Sequence, residues 1–502
     1  MFAPTRTSND EESGERSNLL AGQHSIEVTK TSITMAAINF ANGVVGAGIV
    51  GLPSAFNKMG LILGITSCVM VATCSQYTIR LLADMGTTHN INNYLDLANR
   101  AFGSLGYILC SIFQGAFAFG AMVTYLIIFA DTLPPVLSDL SPSNSTAFRN
   151  IPVVRKVVLL IAGFFILLPL SLIRSFGTLA KLGLFKLFST LFLTVMACYF
   201  AVVLPPLVMG SEYDYACKYT RVHKDFFPAL GTIAFAFVCH HQTFLVQGSL
   251  KDPTPRNFAI TTGFAIFGSF ALSLTVAVSG YLTFFEDVDG DLLTSYKTVQ
   301  EELGNRFPAA GLLTTARLLL ALNMIITYPG ELMVARQTVE SILSRRRKTQ
   351  QLRSLGAPAS SIGDEIVRLA EHRAAEESRA AMAADTWTFG RPITQSILEH
   401  AGITLGLFLA SLTIALFLED ISLVLDLTGS TAAVFLSFLL PAAIRLRLGV
   451  DSEDSNPWYH SSNITPLIVF LFGIVAFVAS SGFSLVNLVL GVTSEANQAK
   501  QC

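Results

Sequence analysis

The most informative segment of the sequence is Asn39-Phe-Ala-Asn42-Gly43-Val-Val-Gly46-Ala47-Gly48-Ile-Val-Gly51-Leu-Pro53. It is apolar enough to lie in a membrane, but its glycines loosen helical turns and its proline removes a backbone donor. Unpaired backbone at membrane depth is tolerated only where it lines a cavity or is buried in protein. The pattern therefore predicts a spanning helix that is interrupted along its length.

A helix broken in this way can form a substrate site. The N-termini of its half-helices attract anionic groups, and its freed carbonyl groups coordinate cations. An amino acid carries both a carboxylate and an ammonium group, and it therefore suits such a break. The alternative is close helix packing through small residues, but so many helix-weakening residues together with two asparagines exceed what packing requires. The candidate substrate-binding residues here are Asn39, Gly43, Val44, Gly46, Ala47 and Gly48.

The composition of the whole chain indicates a membrane protein. Of its 502 residues, 52% are hydrophobic and only 14% are charged, whereas about 25% of the residues of soluble proteins are charged. The net charge of −2 gives no indication of nucleic-acid binding. The seven cysteines include no CxxC or Cys/His zinc spacing, so we expect no disulfide framework and no metal site apart from sodium.

Hydrophobic runs predict eleven spanning helices in one transmembrane domain at residues 33–490, since a spanning helix needs about 20 mostly apolar residues. We expect a disordered cytosolic tail at residues 1–32 and a short C-terminal tail at residues 491–502. Residues 341–394 are predicted to form a long cytosolic loop, with a regulatory or partner-binding role as the alternative. The predicted spans are 33–58, 60–84, 104–135, 154–173, 183–208, 227–248, 258–284, 308–335, 397–418, 424–445 and 464–490.

Basic residues favour a cytosolic N-terminus. With this orientation the run Arg345 to Lys348 lies in the cytosol close to a membrane edge, as the positive-inside rule predicts. The glycosylation sequon at residues 144–146 then lies on the opposite side, where it can be used.

The second candidate site lies in the sixth span, in a run with two adjacent histidines. Ionisable groups inside a span are costly and are functional candidates. Histidine changes charge near neutral pH and could follow a proton gradient. The alternative for each histidine is a neutral ring that holds helices together through a hydrogen bond. The candidate substrate-binding residues here are Phe237, Cys239, His240 and His241.

Polar residues of the eighth span form a third candidate group. Asn323 and Thr327 are one turn apart and share a helix face, so their oxygen atoms could help to coordinate a cation. Arg317 is expected to pair with a carboxylate such as Asp131, or to face a wet cavity near the non-cytosolic side. Glu331 lies in the same stretch, without a role that the sequence assigns.

Spans one and six stand five apart, and each has a polar or broken centre. This spacing predicts a five-plus-five inverted repeat, a common architecture of carriers, with span eleven added.

These motifs together resemble the amino acid/auxin permease family. They are most similar to the branch that holds sodium-coupled neutral amino acid transporters and fungal vacuolar amino acid transporters. The similar segments run in family order through residues 42–53, 93–103, 235–241, 251–254, 280–284, 327–329 and 427–441.

The resemblance implies a LeuT-like fold, with substrate held between spans one, three, six and eight, and cotransport with sodium or protons. In sodium-coupled relatives a first-helix asparagine helps to bind sodium, and Asn42 occupies that place. Their eighth helix supplies a threonine, for which this chain offers Asn323 and Thr327. The implied partners are a small-molecule amino acid and membrane lipid, with no cofactor besides the coupling ion. A vacuolar or lysosomal membrane is favoured over the plasma membrane.

The sequence thus predicts a secondary active amino acid transporter. The alternative is an amino acid sensor with a transporter fold, which the N-terminal tail and residues 341–394 would serve. A membrane-embedded enzyme is disfavoured, because the chain has no HExxH motif and no evident pair of intramembrane aspartates.

Overall fold

Helices make up almost all of the described part of this computed structural model, which comprises residues 31–140, 151–172, 182–205, 225–354, 397–418, 420–449 and 461–490. Within these residues, ten helices are long and apolar enough to cross a membrane, and one bent pair of shorter helices makes an eleventh span. This agrees with the all-α membrane fold that the hydrophobic runs predict. Spans 1 to 11 are Ile33–Val44 with Gly48–Met59, Leu61–Thr88, Tyr94–Leu140, Pro152–Ser171, Gly183–Val203, Phe226–Ser249, Pro255–Asp287, Ala310–Arg347, Leu398–Phe417, Ile421–Leu448 and Asn463–Val489.

Span 1 is broken, as its glycines and proline predict. Its first half, Ile33–Val44, and its second half, Gly48–Met59, meet at an angle of 51°. The break falls at the glycine-dense centre of the stretch, whereas Pro53 lies inside the second half. Several glycines close together therefore decide the position of the break more than the single proline does.

Span 6 is also interrupted. Its first half, the helix Phe226–Phe237, ends at Val238 in an extended conformation (ψ 122°). A 3-10 turn, His240–Gln242, and the short helix Thr243–Ser249 follow. The interruptions in spans 1 and 6 stand five spans apart, which is the spacing that a five-plus-five repeat requires.

Local sequence explains where several helices begin. The Ser32 side chain accepts a hydrogen bond from the backbone N–H of Met35 at 3.4 Å, and Thr254 caps span 7 in the same way. Such caps satisfy backbone donors that the first helical turn leaves free. Gly60, with a φ of 75°, joins spans 1 and 2 without a loop. This left-handed conformation favours glycine, which has no Cβ.

The spans differ in how deeply they lie in the bundle. In span 6, 89% of the most apolar stretch is buried inside the protein, against 28% in spans 4, 9 and 11. Large apolar side chains such as Phe165 and Val202 are exposed on the outside, as lipid contact requires, whereas Phe40 and Phe237 are fully buried. Spans 1 and 6 therefore form the centre of the bundle.

The start of span 1 and the end of span 6 lie at one end of the bundle, which we call the N-terminal end. The backbone N–H of Thr31 donates to the carbonyl oxygen of Ser249 at 2.8 Å, and the N–H of Lys251 donates to Thr31 at 3.1 Å. Six spans separate the two points along the chain, and an even number of crossings returns the chain to the same side.

Two helices extend beyond their predicted spans. The helix of span 8 continues to Ser354, so the first part of the segment predicted as a loop at residues 341–394 is helical. Span 3 is preceded by a helical arm that begins at Tyr94 and turns at Gly103, where φ is 60°.

Some predictions lie outside the described residues. These concern the tail at residues 1–30, the sequon at residues 144–146, the rest of the predicted loop at residues 355–394 and the C-terminal tail at residues 491–502.

Candidate functional site

The break in span 1 packs tightly against spans 3 and 6. A Cβ placed on Gly46 would lie 2.8 Å from the Tyr125 hydroxyl oxygen, and a Cβ on Gly48 would lie 2.6 Å from the Cα of Ala236. A Cβ on Gly43 would overlap the Gln242 side chain. Each glycine thus allows a close approach between the break and a neighbouring span.

The two apolar candidates of this stretch lie at the ends of the half-helices. Val44 is the last residue of the first half, and Ala47 immediately precedes the second half. Both side chains are buried. Backbone groups beside Val44 and Ala47 are therefore the ones that the break frees from regular helical bonding.

The interruption of span 6 carries the other four candidate residues. Phe237 ends the first half, Cys239 lies in the non-helical link, and His240 and His241 begin the 3-10 turn. All four side chains are buried. The adjacent histidines point to different neighbours, so their roles separate.

His240 contacts span 2. Its Nε2 atom lies 2.9 Å from the Thr78 hydroxyl oxygen, within hydrogen-bond distance, and both residues are fully buried. This contact matches the alternative in which a histidine ring holds two helices together.

His241 faces an acidic side chain of span 8. Its Nε2 atom lies 3.5 Å from Oε1 of Glu331. The Gln242 amide nitrogen is 3.1 Å from the same His241 atom and donates to Oε1 of Glu331 at 3.4 Å. We call these three residues the Glu331 cluster. The sequence shows Glu331 as an acidic residue in an apolar span, but does not show that it meets the break in span 6.

Asn39 and Asn42 face the start of span 5. The Asn42 side-chain amide donates to the carbonyl oxygen of Gly183 at 2.7 Å. A Cβ on Gly183 would overlap the amide oxygen of Asn39. Asn42 therefore joins the first half of span 1 to span 5, and Asn39 packs closely against the same glycine.

Asn323 and Thr327 lie together, as their spacing predicts. The Thr327 hydroxyl donates to the Asn323 backbone carbonyl at 2.8 Å and lies 3.2 Å from its side-chain oxygen. Both residues are buried. Among the described residues, no hydrogen bond joins either of them to Asn42, which donates to span 5 instead.

The partner suggested for Arg317 is wrong. The Asp131 carboxylate pairs with Arg155 at 2.6 Å. The Arg317 guanidinium donates to the side chain of Gln300 at 3.0 Å and to the backbone of Leu293 at 3.4 Å. The reason is the helix Leu292–Leu303 between spans 7 and 8, which packs at the end of span 8 and supplies neutral acceptors.

An ion pair joins spans 1 and 10 at the end of the bundle opposite to the N-terminal end. The Lys58 ammonium group lies 2.7 Å from one oxygen of Asp426, and the other oxygen accepts a short hydrogen bond from the Thr232 hydroxyl of span 6. The second half of span 1 is thereby attached to spans 6 and 10 together. This ion pair was not evident in the sequence, because its members are 368 positions apart.

Comparison with known proteins gives consistent results. Residues 29–486 match the sequence profile of the family described as "Transmembrane amino acid transporter protein". A relative from Danio rerio, "Putative sodium-coupled neutral amino acid transporter 11", is 27% identical over 92% of this chain and 88% of its own length. "Vacuolar amino acid transporter 2" from Saccharomyces cerevisiae is 25% identical over 92% of this chain and 85% of its own length.

One solved structure also matches this chain, at a lower sequence identity than these relatives. It is a nucleobase-cation-symport-1 family transporter in a closed conformation with bromovinylhydantoin bound, with a TM-score of 0.48 and 12% identity over 94% of this chain and 98% of its own. The family match covers nearly all of the eleven spans and confirms the resemblance that the motifs indicate. Its members are transporters and not enzymes. The chain belongs to the transmembrane amino acid transporter protein family.

Proposed function

We propose that this protein is a secondary active transporter that moves amino acids across its membrane, driven by a sodium or proton gradient. The observation that carries the proposal is the meeting of two interrupted helices at the centre of the bundle. Gly43 in the first half of span 1 faces Gln242 at the end of the interruption of span 6, and Gly48 in the second half of span 1 faces Ala236 before it. The family match supports amino acids as the substrate class.

The chemistry of the two breaks suits a zwitterion. The second half of span 1 begins at Gly48, and the partial positive charge of a helix N-terminus attracts a carboxylate. The first halves of spans 1 and 6 end at Val44 and Phe237, where carbonyl groups without helical partners can accept hydrogen bonds from an ammonium group. A substrate held in this way would contact backbone, and the lining side chains would select its size.

Candidate residues for ion coupling lie on both sides of this site. Asn42, Asn323 and Thr327 offer oxygen ligands for sodium, and the Glu331 cluster offers groups that can hold a proton. The names of the relatives include the words "sodium-coupled" and "vacuolar", which supports coupling to a cation gradient and a vacuolar membrane. We therefore favour a vacuolar or lysosomal membrane, with the N-terminus in the cytosol as the positive charges of the chain indicate.

Reconstitution tests this function directly. The full-length protein in proteoliposomes is given a radiolabelled amino acid mixture under an imposed sodium gradient, an imposed proton gradient or neither. We expect uptake above that of protein-free liposomes under one of the two gradients. Saturable binding without flux under any gradient would contradict transport and support a sensor with a transporter fold.

A further inference from the structure

Glu331 is a buried acidic residue at the junction of the two interrupted spans. Its side chain is 6% exposed, and that of His241 is 1% exposed. Gln242, the third member of the Glu331 cluster, is the residue against which Gly43 of span 1 packs. A change at the Glu331 carboxylate can therefore reach both interrupted spans through direct contacts.

The Glu331 cluster has free capacity for hydrogen bonds. Among the described residues, Oε2 of Glu331 and Nδ1 of His241 have no hydrogen-bond partner, although both atoms are buried. Oε1 of Glu331 carries both contacts of the carboxylate, to His241 and to Gln242. Polar atoms buried without partners are costly, and in a transport protein they are functional candidates.

Charged and titratable groups from the neighbouring spans determine what Glu331 can hold. Lys186 of span 5 attracts the carboxylate electrostatically, and Tyr125 of span 3 is close enough to interact with it. Span 6 supplies His241, with His240 beside it in the chain. The carboxylate is thus in contact with one histidine, His241, and interacts with one lysine, Lys186.

The nearest arginine of span 8 is occupied elsewhere. The Arg336 guanidinium donates to Thr404 of span 9 at 3.1 Å and to the carbonyl oxygen of Ser171 of span 4 at 3.3 Å, and it lies 3.5 Å from Glu340. One polar group of span 4, the Ser171 carbonyl, and one of span 9, the Thr404 hydroxyl, thus contact Arg336.

We propose that the Glu331 carboxylate takes up and releases the proton that drives transport. His241 holds this carboxylate in position. This inference rests on the proposed function and names its coupling ion. On uptake, an O–H bond forms between a proton from water and a Glu331 oxygen, and the carboxylate becomes neutral. On release, the proton returns to water on the other side of the membrane, and Lys186 then balances the negative charge.

A proton on Glu331 can act on the conformation through the hydrogen bond from the Gln242 amide. An ionised Glu331 attracts the Gln242 amide strongly, because hydrogen bonds to a charged acceptor are about twice as strong as those between neutral groups. A protonated Glu331 attracts it less. Gln242 lies between Glu331 of span 8 and Gly43 of span 1, so protonation changes the force that holds the two interrupted spans against span 8.

The test compares two transport modes of the full-length protein in proteoliposomes. Net uptake of the amino acid that the wild type accumulates under a proton gradient requires a proton to be released in each cycle. Exchange of the same labelled amino acid against an internal unlabelled pool, without a gradient, requires only the loaded protein to change conformation. We expect Glu331→Gln, which imitates the protonated carboxyl, to lower net uptake by about tenfold or more and to leave exchange within about threefold of the wild type.

Glu340→Gln is the matched control. It neutralises another acidic residue of the same helix, one that pairs with Arg336. We expect it to leave the ratio of net uptake to exchange unchanged. Glu331→Asp provides a second reading if Glu331→Gln does not fold, because it keeps a titratable group but moves it away from His241. We expect Glu331→Asp to shift the pH profile of net uptake.

Several outcomes would overturn the inference while leaving the proposed function intact. They are loss of both modes in a folded Glu331→Gln protein, retention of both modes, an unchanged pH profile in Glu331→Asp, and wild-type uptake driven by sodium alone. Loss of both modes would assign Glu331 to substrate binding. If the wild type itself shows neither uptake nor exchange, the proposed function fails first.

Discussion

The substitution Gly48→Ala tests the contact between the second half of span 1 and the first half of span 6. The added methyl group would lie 2.6 Å from the Cα of Ala236 and 2.7 Å from its Cβ. Carbon atoms at their optimal separation are about 3.5–4.0 Å apart, so the two spans must separate by about 1 Å. The obstacle is a backbone atom, and rotation of a side chain cannot relieve it.

The expected magnitude follows from this geometry. Overpacking a well-filled core costs about 1–3 kcal/mol. If the cost falls only on the conformation in which the two spans touch, the population of that conformation decreases by about 5- to 150-fold relative to the others. We therefore expect Gly48→Ala to slow exchange of an internal unlabelled amino acid against external label, and to lower the melting temperature in detergent.

Gly268→Ala is the matched control for this experiment. Gly268 lies inside the helix of span 7, and a Cβ placed on it meets no atom within 4 Å. This substitution should leave exchange unchanged and should raise stability slightly, because alanine favours a helix over glycine by about 1 kcal/mol. If Gly48→Ala exchanges and melts as Gly268→Ala does, the close packing of the two broken spans is not part of the transport cycle.

Three further predictions concern polar contacts. Asn42→Ala removes the hydrogen bond to Gly183 and should lower the free energy of unfolding by about 1 kcal/mol; an unchanged midpoint in thermal unfolding would contradict this. Lys58→Met leaves the half-buried Asp426 without its cationic partner and should lower stability by about 1–3 kcal/mol, whereas combining it with Asp426→Asn should recover part of the loss, and a purely additive double variant would refute the pairing. Burial raises the pKa of Asp291 to about 7, so the folded protein holds a proton there that the unfolded chain loses, and stability should fall by at most about 4 kcal/mol as the pH rises from about 4 to about 7. Asp291→Asn should flatten this slope in melting curves taken across that range, and a slope equal to that of the wild type would show that other groups cause it.

The break in span 1 could be predicted from the sequence, but the interruption of span 6 could not. Four glycines in nine residues weaken a helix wherever they occur, so the cause is local. The link from Val238 to Gln242 contains neither glycine nor proline. Its conformation depends on distant partners, since His240 contacts Thr78 and His241 faces Glu331. The two histidines predict a functional site in span 6, but they do not predict that the helix ends there.

The partners of the polar residues could likewise be predicted only in part from the sequence. The spacing of Asn323 and Thr327 predicts that they share a face, and they do, because both belong to one helix. Asn42 and Gly183 are 141 positions apart, and Arg317 and Asp131 remain apart although both lie near the same end of the bundle. Contacts within a helix follow from its period, whereas contacts between spans depend on how the bundle packs.

The two halves of span 1 are attached to different parts of the protein. Asn42 joins the first half to span 5, and Gly43 packs against Gln242 at the end of the interruption of span 6. Gly48 places the second half against the part of span 6 before the interruption, and Lys58 joins it to span 10.

The first half of span 1 therefore packs with the later part of span 6, and the second half packs with the part of span 6 before the interruption, while span 7 packs against both halves of span 1. A bend at the breaks can move one pair while the other stays in place, which would open one end of the bundle and keep the other closed. The Glu331 cluster contacts the pair nearer the N-terminal end through Gln242. A proton on Glu331 would then act on that pair, while the ion pair of Lys58 and Asp426 holds the opposite one.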